Sequence, residues 1–570
     1  MKKTTTIIIA SSLLIFVFLI TVFSIKDDSL TMDELAHLPA GYSYLTQKDM
    51  RLNPEHPPLI KDLAAIPLLF IKNINFPSES KAWQEDVNGQ WDFGHIFLYE
   101  SQNPAEKMIF WGRIPMILLL IILGFYIFRW TKELFGEKAG LLALFLFSFS
   151  PTFLAHGRLV TTDVGAAAGV FIAIYYFIKA LKNPTKKNII LGGVFFGIAE
   201  LFKFSVILLI PLFGFLALLY WFIKLRGFKE TLKILFLVFF IGYLLVGFLY
   251  QYHVLNYPPE RQVEDAEVFL AAYPDFIKEP LIWAAQKPIL RPYAQYFTGL
   301  FMVFNRATGG NTTYFMGEIS NLGWKHYFPT VYLIKESLTF HILTILALLL
   351  ALFAIRKPSL EGTKNWLKNH FAEFSMLSFV GIYWAASLTS SLNIGVRHLL
   401  PVFPFVMVLV AGVIVGFLKK PYLKLKYILL FVLIIWQIFS VVKVYPHFLA
   451  YFNELAGGPD KGYNYTVDSN LDWGQDLKRL AAWVEENNIE KIKIAYFGGS
   501  DPKYHLGDKI EGFAWEEPQK GWIAISATLL QGGRGTPIPG FDQSTGYFNW
   551  LDNYDPVVKI GYSIFVYHIE

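Results

Sequence analysis

"IILGGVFFGIAELFKFSVILLIPLFGFLALLYWF", residues 189–222, is apolar apart from Glu200 and Lys203. A hydrocarbon core about 30 Å thick takes roughly 20 residues of helix, so this run is too long for one ordinary span. Dividing it at the two charges gives spans over 188–203 and 205–223. Working outward, comparable runs lie near 4–25, 108–128, 139–155, 163–181, 232–250, 338–355, 373–390, 398–418 and 425–443. The chain is predicted to be a polytopic α-helical membrane protein of about eleven transmembrane helices. Its composition agrees, because 54% hydrophobic and 17% aromatic residues exceed what a soluble core requires.

Basic residues collect in the cytoplasmic loops of membrane proteins, which tests the count. Threading from a cytoplasmic N-terminus puts Arg129, Lys132 and Lys138 inside, then Lys179, Lys182, Lys186 and Lys187, then Lys224, Arg226, Lys229 and Lys233. Arg356, Lys357, Lys364 and Lys368 follow, then Lys419, Lys420, Lys424 and Lys426. The alternate short turns hold only Arg158, Lys203 and Arg397. This topology places 26–107, 251–337 and 444–570 outside. The first apolar run follows Lys2 and Lys3 but lacks an Ala-x-Ala site, so it reads as a retained signal anchor. Residues 1–443 form the predicted transmembrane module. Residues 444–570 form a predicted external α/β domain, with "DLKRLAAWVEENN" (476–488) at helical spacing and "KIKIAYFGG", "GWIAISAT" and "YSIFVYHI" as strands.

Some chemistry is excluded by composition. A net charge of +5 is too slight and dispersed for a nucleic-acid partner. With no cysteine, thiolate metal sites and a cysteine nucleophile are ruled out.

Ionisable groups near the hydrocarbon cost roughly 2.5–3.5 kcal/mol each at mid-helix, so those retained tend to be paired or functional. Here they converge on the outer face. Asp33 and Glu34 lie in "TMDELAHLPAGYSYL" (31–45), and Glu55, His56 and Lys61 in "RLNPEHPPLIK" (51–61). Arg158 and Asp163 lie in "HGRLVTTDVG" (156–165), and Arg397 with His398 in "NIGVRHLLPVFPF" (393–405). Pro57 extends His56, and Pro58 opens a helix through "LIKDLAAIPLLF" (59–70). Its apolar face of Leu59, Leu63, Ile66 and Leu69 or Phe70 predicts an amphipathic helix lying in the membrane interface. Headgroup depth suits a phosphate carried on a lipid. A sugar on polyprenyl phosphate already has a stable anionic leaving group, so transfer needs one carboxylate base for the acceptor hydroxyl and cations for the phosphate.

"DE" after the first helix, "HPPLIK" later in the same loop and "RLVTTD" (158–163) also resemble the GT-C superfamily of polyprenyl-phosphate-dependent glycosyltransferases. The likeness is closest to the protein O-mannosyltransferase branch. The aminoarabinose transferases are more distant and carry Lys-Pro-Pro in place of His56-Pro57-Pro58. The resemblance implies that Asp33 is the catalytic base, that Asp163 helps organise the same cavity, and that "GIAELFKFS" (197–205) puts Lys203 near the lipid phosphate. Asp33, Glu34 and Asp163 are thus the candidate catalytic carboxylates. Lys203, Arg158, His56, Lys61 and Arg397 are the candidate phosphate ligands. The expected partners are a polyprenyl phosphate sugar donor, a protein, lipid or glycan acceptor, and membrane lipids. The expected setting is a bacterial plasma membrane, with the active site and residues 444–570 extracytoplasmic. No cofactor is implied; carboxylates leave room for a divalent cation, but no compact ligand motif occurs.

Plainer readings stand beside these. Asp33 and Glu34 suit a capping box after Thr31, Asp163 suits a helix N-cap or a partner for Arg158, and Glu200 suits a partner for Lys203. Arg397 and His398 suit lipid headgroups, and His56 a structural role. Asp468, Asp472 and Asp476 in "VDSNLDWGQDLKRL" (467–480) read as an acidic helix start rather than a calcium loop, because the glycine and terminal glutamate of an EF-hand are missing. Among the aromatics, Tyr42, Tyr44, Trp83, Trp91, Trp324 and Tyr327 suit interface anchors or sugar stacking. A lipid-linked sugar flippase or other transporter is the main rival, predicting ionisable groups near the bilayer midplane. A polymerase or ligase of lipid-linked glycans shares most of the chemistry.

Overall fold

The computed structural model describes residues 3–354, 359–419 and 424–570. Lys2, Arg356, Lys357 and Lys420 lie outside the described residues. Among the described residues, seven helices are long and apolar enough to cross a membrane: Lys3–Ser24, Ala105–Phe135, Thr162–Lys182, Phe204–Phe222, Phe228–His253, Phe371–Thr389 and Leu425–Val444. An eighth is reached if Tyr327–Lys335 and Leu338–Ala354, bent by 112° at their junction, count as one span. The predicted total of about eleven is therefore not reached on length.

Local chemistry explains the shortfall. Run 139–155 splits into Glu137–Ser148 and Pro151–His156, the second opened by Pro151. Run 398–418 becomes helical only from Phe403, after the 3-10 turn Val396–Leu399. Run 188–203 is the helix Lys186–Glu200. At 1.5 Å per residue, helices of this size reach only roughly 18–24 Å. The division expected at Glu200 and Lys203 is present: one helix stops at Glu200, and the chain turns helical again at Phe204.

The Thr162–Lys182 helix is the axis of the bundle, with 94% of its most apolar window buried. Peripheral helices instead turn phenylalanines outward, such as Phe236, Phe240 and Phe248. Lipid does not penalise such exposure as water does. The short helix Leu59–Ala65 follows the same logic. Ile66, Leu69 and Phe70 just beyond it are exposed, while Lys61 and Asp62 are buried. Leu59 and Leu63 of the predicted apolar face are part-buried against the core, so only its far end, in the 3-10 turn Ile66–Phe70, faces outward.

Segments 26–107, 251–337 and 444–570 pack against one another at one end of the bundle. Ser29 N donates to Gln475 O at 2.8 Å and Met32 N to Trp473 O at 3.0 Å. Asn256 N donates to Lys48 O at 3.1 Å. The C-terminal region carries a five-stranded sheet in the order Ile510–Glu511, Ile492–Ala495, Gly521–Ser526, Ile564–Ile569, Val558–Ile560. The first three strands are parallel and the last two pair antiparallel. Helix Leu477–Glu486 covers it through Leu477, Leu480 and Val484. A second small sheet joins the regions: the hairpin Thr313–Phe315 and Glu318–Ser320 is extended in parallel by Thr536–Pro537.

Candidate active site

Asp33 sits in the first turn of the helix Met32–Gln47, whose start is fixed from both sides. Trp473 O accepts Met32 N–H, and the backbone at Gly499 runs so close that a β-carbon there would lie 2.5 Å from Thr31 O. The helix is held against the "HPPLIK" segment by Gly41, where a β-carbon would stand 2.1 Å from Lys61 O. Thus two glycines set where Asp33 points.

Arg397 lies at the centre of the cluster. Its Nη1 donates to Asp33 Oδ2 at 2.6 Å and to Asp163 Oδ2 at 3.4 Å. Its Nε donates to Ser469 Oγ at 3.1 Å, and its guanidinium lies 4.2 Å from the Trp473 ring centre. Lys203 Nζ completes the chain by donating to Asp163 Oδ1. Asp33, Arg397, Asp163 and Lys203, far apart in sequence, are therefore ion-paired in series. The Asp33 side chain keeps 24% exposure, the most in the series. Burial pushes its carboxyl up, but the Arg397 guanidinium and His37 outweigh this and hold it below the ordinary value of 3.8. Asp163 does not act as a cap alone, because its carboxylate is bonded to the two cations.

The remaining candidates are placed elsewhere. Glu34, adjacent to Asp33, is fully buried and committed: Thr31 N, Arg113 Nε and Nη2, and Val160 N all donate to its carboxylate at 2.6–2.9 Å. The plainer reading of a helix-start anchor describes Glu34, while Asp33 faces the cations. Arg158 is buried on Asp28, with Nη1 2.5 Å from Oδ2, and pairs with neither Asp163 nor a surface group. Lys61 is turned inward, where Tyr44 Oη, Asn53 O, Asn53 Oδ1 and His56 O accept from its Nζ at 2.7–2.9 Å. Burial brings its ammonium down to about 7. It pins the loop that carries His56. The His56 ring stands edge-on to His37 at 5.0 Å, and burial, then His37 and Lys61, push it well below the ordinary imidazole value. Glu200 does not pair with Lys203; its Oε2 accepts from Tyr296 Oη at 2.6 Å.

Asp33 and Arg397 border a cavity of about 370 Å³ that runs beneath the C-terminal region, with Trp91, Arg306, Asp468 and Trp473 among its walls. Asp163 and Lys203 lie behind Arg397. Sequence reasoning missed Arg113 and Arg306, and gave Asp468 no part in this site. Arg113 sits inside an apolar span, and a mid-helix arginine was the signal that a buried carboxylate awaited it. Asp468 stood in an acidic run that reads as a helix start rather than a ligand loop. The three acids of that run separate: Asp472 accepts from Thr528 N at 2.8 Å, and Asp476 pairs with Arg479 at 2.5 Å. Among the described residues no group of three or more His, Asp or Glu side chains is placed to hold a metal ion.

No curated protein matches this sequence. Solved structures overlap it at low identity. The yeast Saccharomyces cerevisiae protein O-mannosyltransferase Pmt1–Pmt2 complex bound to its sugar donor is 16% identical, with a TM-score of 0.35 over 45% of this chain and 34% of the other. The chain thus spans about a third of that relative's length. The apo oligosaccharyltransferase of Archaeoglobus fulgidus is 11% identical, with a TM-score of 0.49, covering 96% of this chain and 72% of that one. Apo ArnT from Cupriavidus metallidurans is 12% identical, with a TM-score of 0.31, covering 98% and 97%. At such scores none of the three carries an argument about this site. Residues 105–250, which include Arg158, Asp163 and Lys203, match the family model described as Dolichyl-phosphate-mannose-protein mannosyltransferase, and the resemblance read in part from "RLVTTD" is borne out over that stretch.

Proposed function

We propose that this chain is a membrane glycosyltransferase that moves a sugar from a polyprenyl phosphate to a hydroxyl acceptor on the extracytoplasmic face, with inversion. The supporting observation is the ion-paired series Asp33–Arg397–Asp163–Lys203, whose first two members border a cavity. Asp33 Oδ1 has no hydrogen-bond partner among the described residues, whereas Oδ2 is held by Arg397. Oδ1 takes the proton of the acceptor hydroxyl as its oxygen attacks the anomeric carbon. The bond from that carbon to the phosphate oxygen breaks, and the electron pair leaves on the phosphate. Attack and departure on opposite sides invert the centre.

Lys203 and Arg397 hold the phosphate and stabilise the charge it gains. Both are paired with carboxylates, so the phosphate displaces Asp33 from Arg397 while Asp163 stays bonded to the two cations. A carboxylate held below its ordinary value is a weak base, which suits proton transfer late in bond formation, when the hydroxyl has become acidic. Asp163 sits behind both cations as their anchor.

Purified protein incubated with radiolabelled polyprenyl phosphate sugars and host membrane extract shows which fraction gains label. The wild type is expected to transfer label and Asp33→Asn to lose turnover while still binding donor. Full activity of Asp33→Asn removes Asp33 from the mechanism.

A further inference from the structure

Asp468 belongs to the C-terminal region, yet it lines the same cavity as Asp33. Its backbone is left-handed at φ +53°, a conformation that aspartate tolerates better than most residues but that still costs energy. Its N–H donates to Thr528 Oγ1 at 3.0 Å, its Oδ1 accepts from Ser469 N at 2.5 Å, and its carbonyl accepts from Leu471 N and Asp472 N at 2.8 and 2.9 Å. No hydrogen bond to Oδ2 occurs among the described residues, and the residue is half-buried, so that oxygen opens to the cavity. Burial lifts its carboxyl to about 6, against the pull of Arg397. Arg397 therefore has Asp33 on one side, and its charge also reaches Asp468.

The walls narrow the choice of occupant. Trp91, Tyr314 and Tyr547 offer aromatic surface, and Asn311, Thr312 and Thr528 offer hydrogen-bonding groups. An extended peptide normally adds itself to a free sheet edge. The hairpin beside the cavity offers only a short edge: one strand pairs with Thr536–Pro537, and the other is already bridged at Phe315 by Thr466, with Met316 N donating to Tyr465 O at 2.9 Å. Two carboxylates with open oxygens in one cavity match two neighbouring hydroxyls, which a sugar ring carries and a serine or threonine side chain does not.

We propose that the cavity seats a carbohydrate acceptor, with Asp468 accepting a hydrogen bond from the hydroxyl next to the one that Asp33 deprotonates. This rests on the transferase reading above and adds the acceptor class to it. Asp468 does not take the transferred proton; it fixes the ring so that the reacting oxygen lies at Asp33.

The test measures binding before chemistry. The full-length protein in detergent, without donor, is applied to an array of oligosaccharides and of serine- and threonine-containing peptides. The wild type is expected to retain oligosaccharides, Asp468→Asn to lose affinity by about tenfold or more, and Asp468→Glu to recover part of it. With donor present, Asp468→Asn is expected to raise the half-saturating oligosaccharide concentration by a similar factor. If Asp468→Asn fails to fold, Thr528→Val, which removes one of the bonds holding the Asp468 backbone, is expected to show a smaller loss of the same kind. Retention of peptides instead of oligosaccharides, or unchanged oligosaccharide affinity in both variants, overturns the proposal. Its failure is separable from that of the transferase reading, which turns on Asp33→Asn and needs no oligosaccharide.

Discussion

At the scale of single residues, Asp33 and Arg397 are a pair whose energetics can be read by pH. Burial alone raises the Asp33 carboxyl, and Arg397 reverses this, so the folded value lies below the ordinary 3.8. Asp33 is then ionised through the physiological range, and stability from the pair is present above the unfolded value and lost as pH falls through the folded one. For the wild type, kcat/KM is expected to show no loss attributable to Asp33 between about pH 7 and 5. In Arg397→Gln the cation is gone and burial dominates, so the acid limb is expected to move to higher pH, whatever the drop in absolute rate. A limb that stays in place indicates that Arg397 does not set the Asp33 charge. Lys61 gives a contrasting expectation. Because its ammonium is bound to four protein oxygens rather than facing the cavity, Lys61→Met is expected to lower thermal stability while leaving donor affinity, measured on the folded fraction, close to wild type. The residues "DE" show what a sequence conveys at this scale. That one acid faces the cations and the other caps the helix depends on which side of a turn each occupies, and the pairing of Glu34 with Arg113 crosses 79 positions of chain.

At the scale of elements, the site depends on backbone contacts that side-chain patterns do not encode. The helix Met32–Gln47 rests on Lys61 O at Gly41 and is met by the loop at Gly499. Gly41→Ala is expected to cost about 1–3 kcal/mol, because backbone rather than a movable side chain must give way, and to reduce activity by shifting Asp33. Thermal unfolding and turnover check it; wild-type values for both mean that the helix is not held there. The apolar period of 59–70 foretold the face that Ile66, Leu69 and Phe70 turn outward. The count of spans was less legible. Pro151 and the turn before Phe403 shorten helices that hydropathy alone extends, since averaging over a window hides where a backbone breaks.

At the scale of the whole molecule, the C-terminal region is bound into the site rather than appended to it. Arg158 and Arg479 both grip Asp28, at 2.5 and 2.7 Å, and Arg479 also grips Asp476 at 2.5 Å. Asp28→Asn strips the buried Arg158 guanidinium of its carboxylate and Arg479 of one of two, and is expected to destabilise by about 3–5 kcal/mol, loosening the C-terminal region from the bundle. Limited proteolysis near residue 444 reports the release; an unchanged digestion pattern argues against a clamp. Neither the clamp nor the sheet shared with Thr536–Pro537 was visible in the sequence, because each joins segments hundreds of residues apart. What was visible was their common end of the bundle, which charge alternation predicted without any contact being known. On this mechanism the lipid phosphate is expected to bind where Arg397 and Lys203 now meet Asp33 and Asp163. A structure with polyprenyl phosphate bound tests it most directly. The phosphate is predicted within about 3 Å of Lys203 Nζ and an Arg397 nitrogen, in place of a carboxylate oxygen. A phosphate seated away from both cations, with the four-residue series unbroken, contradicts it.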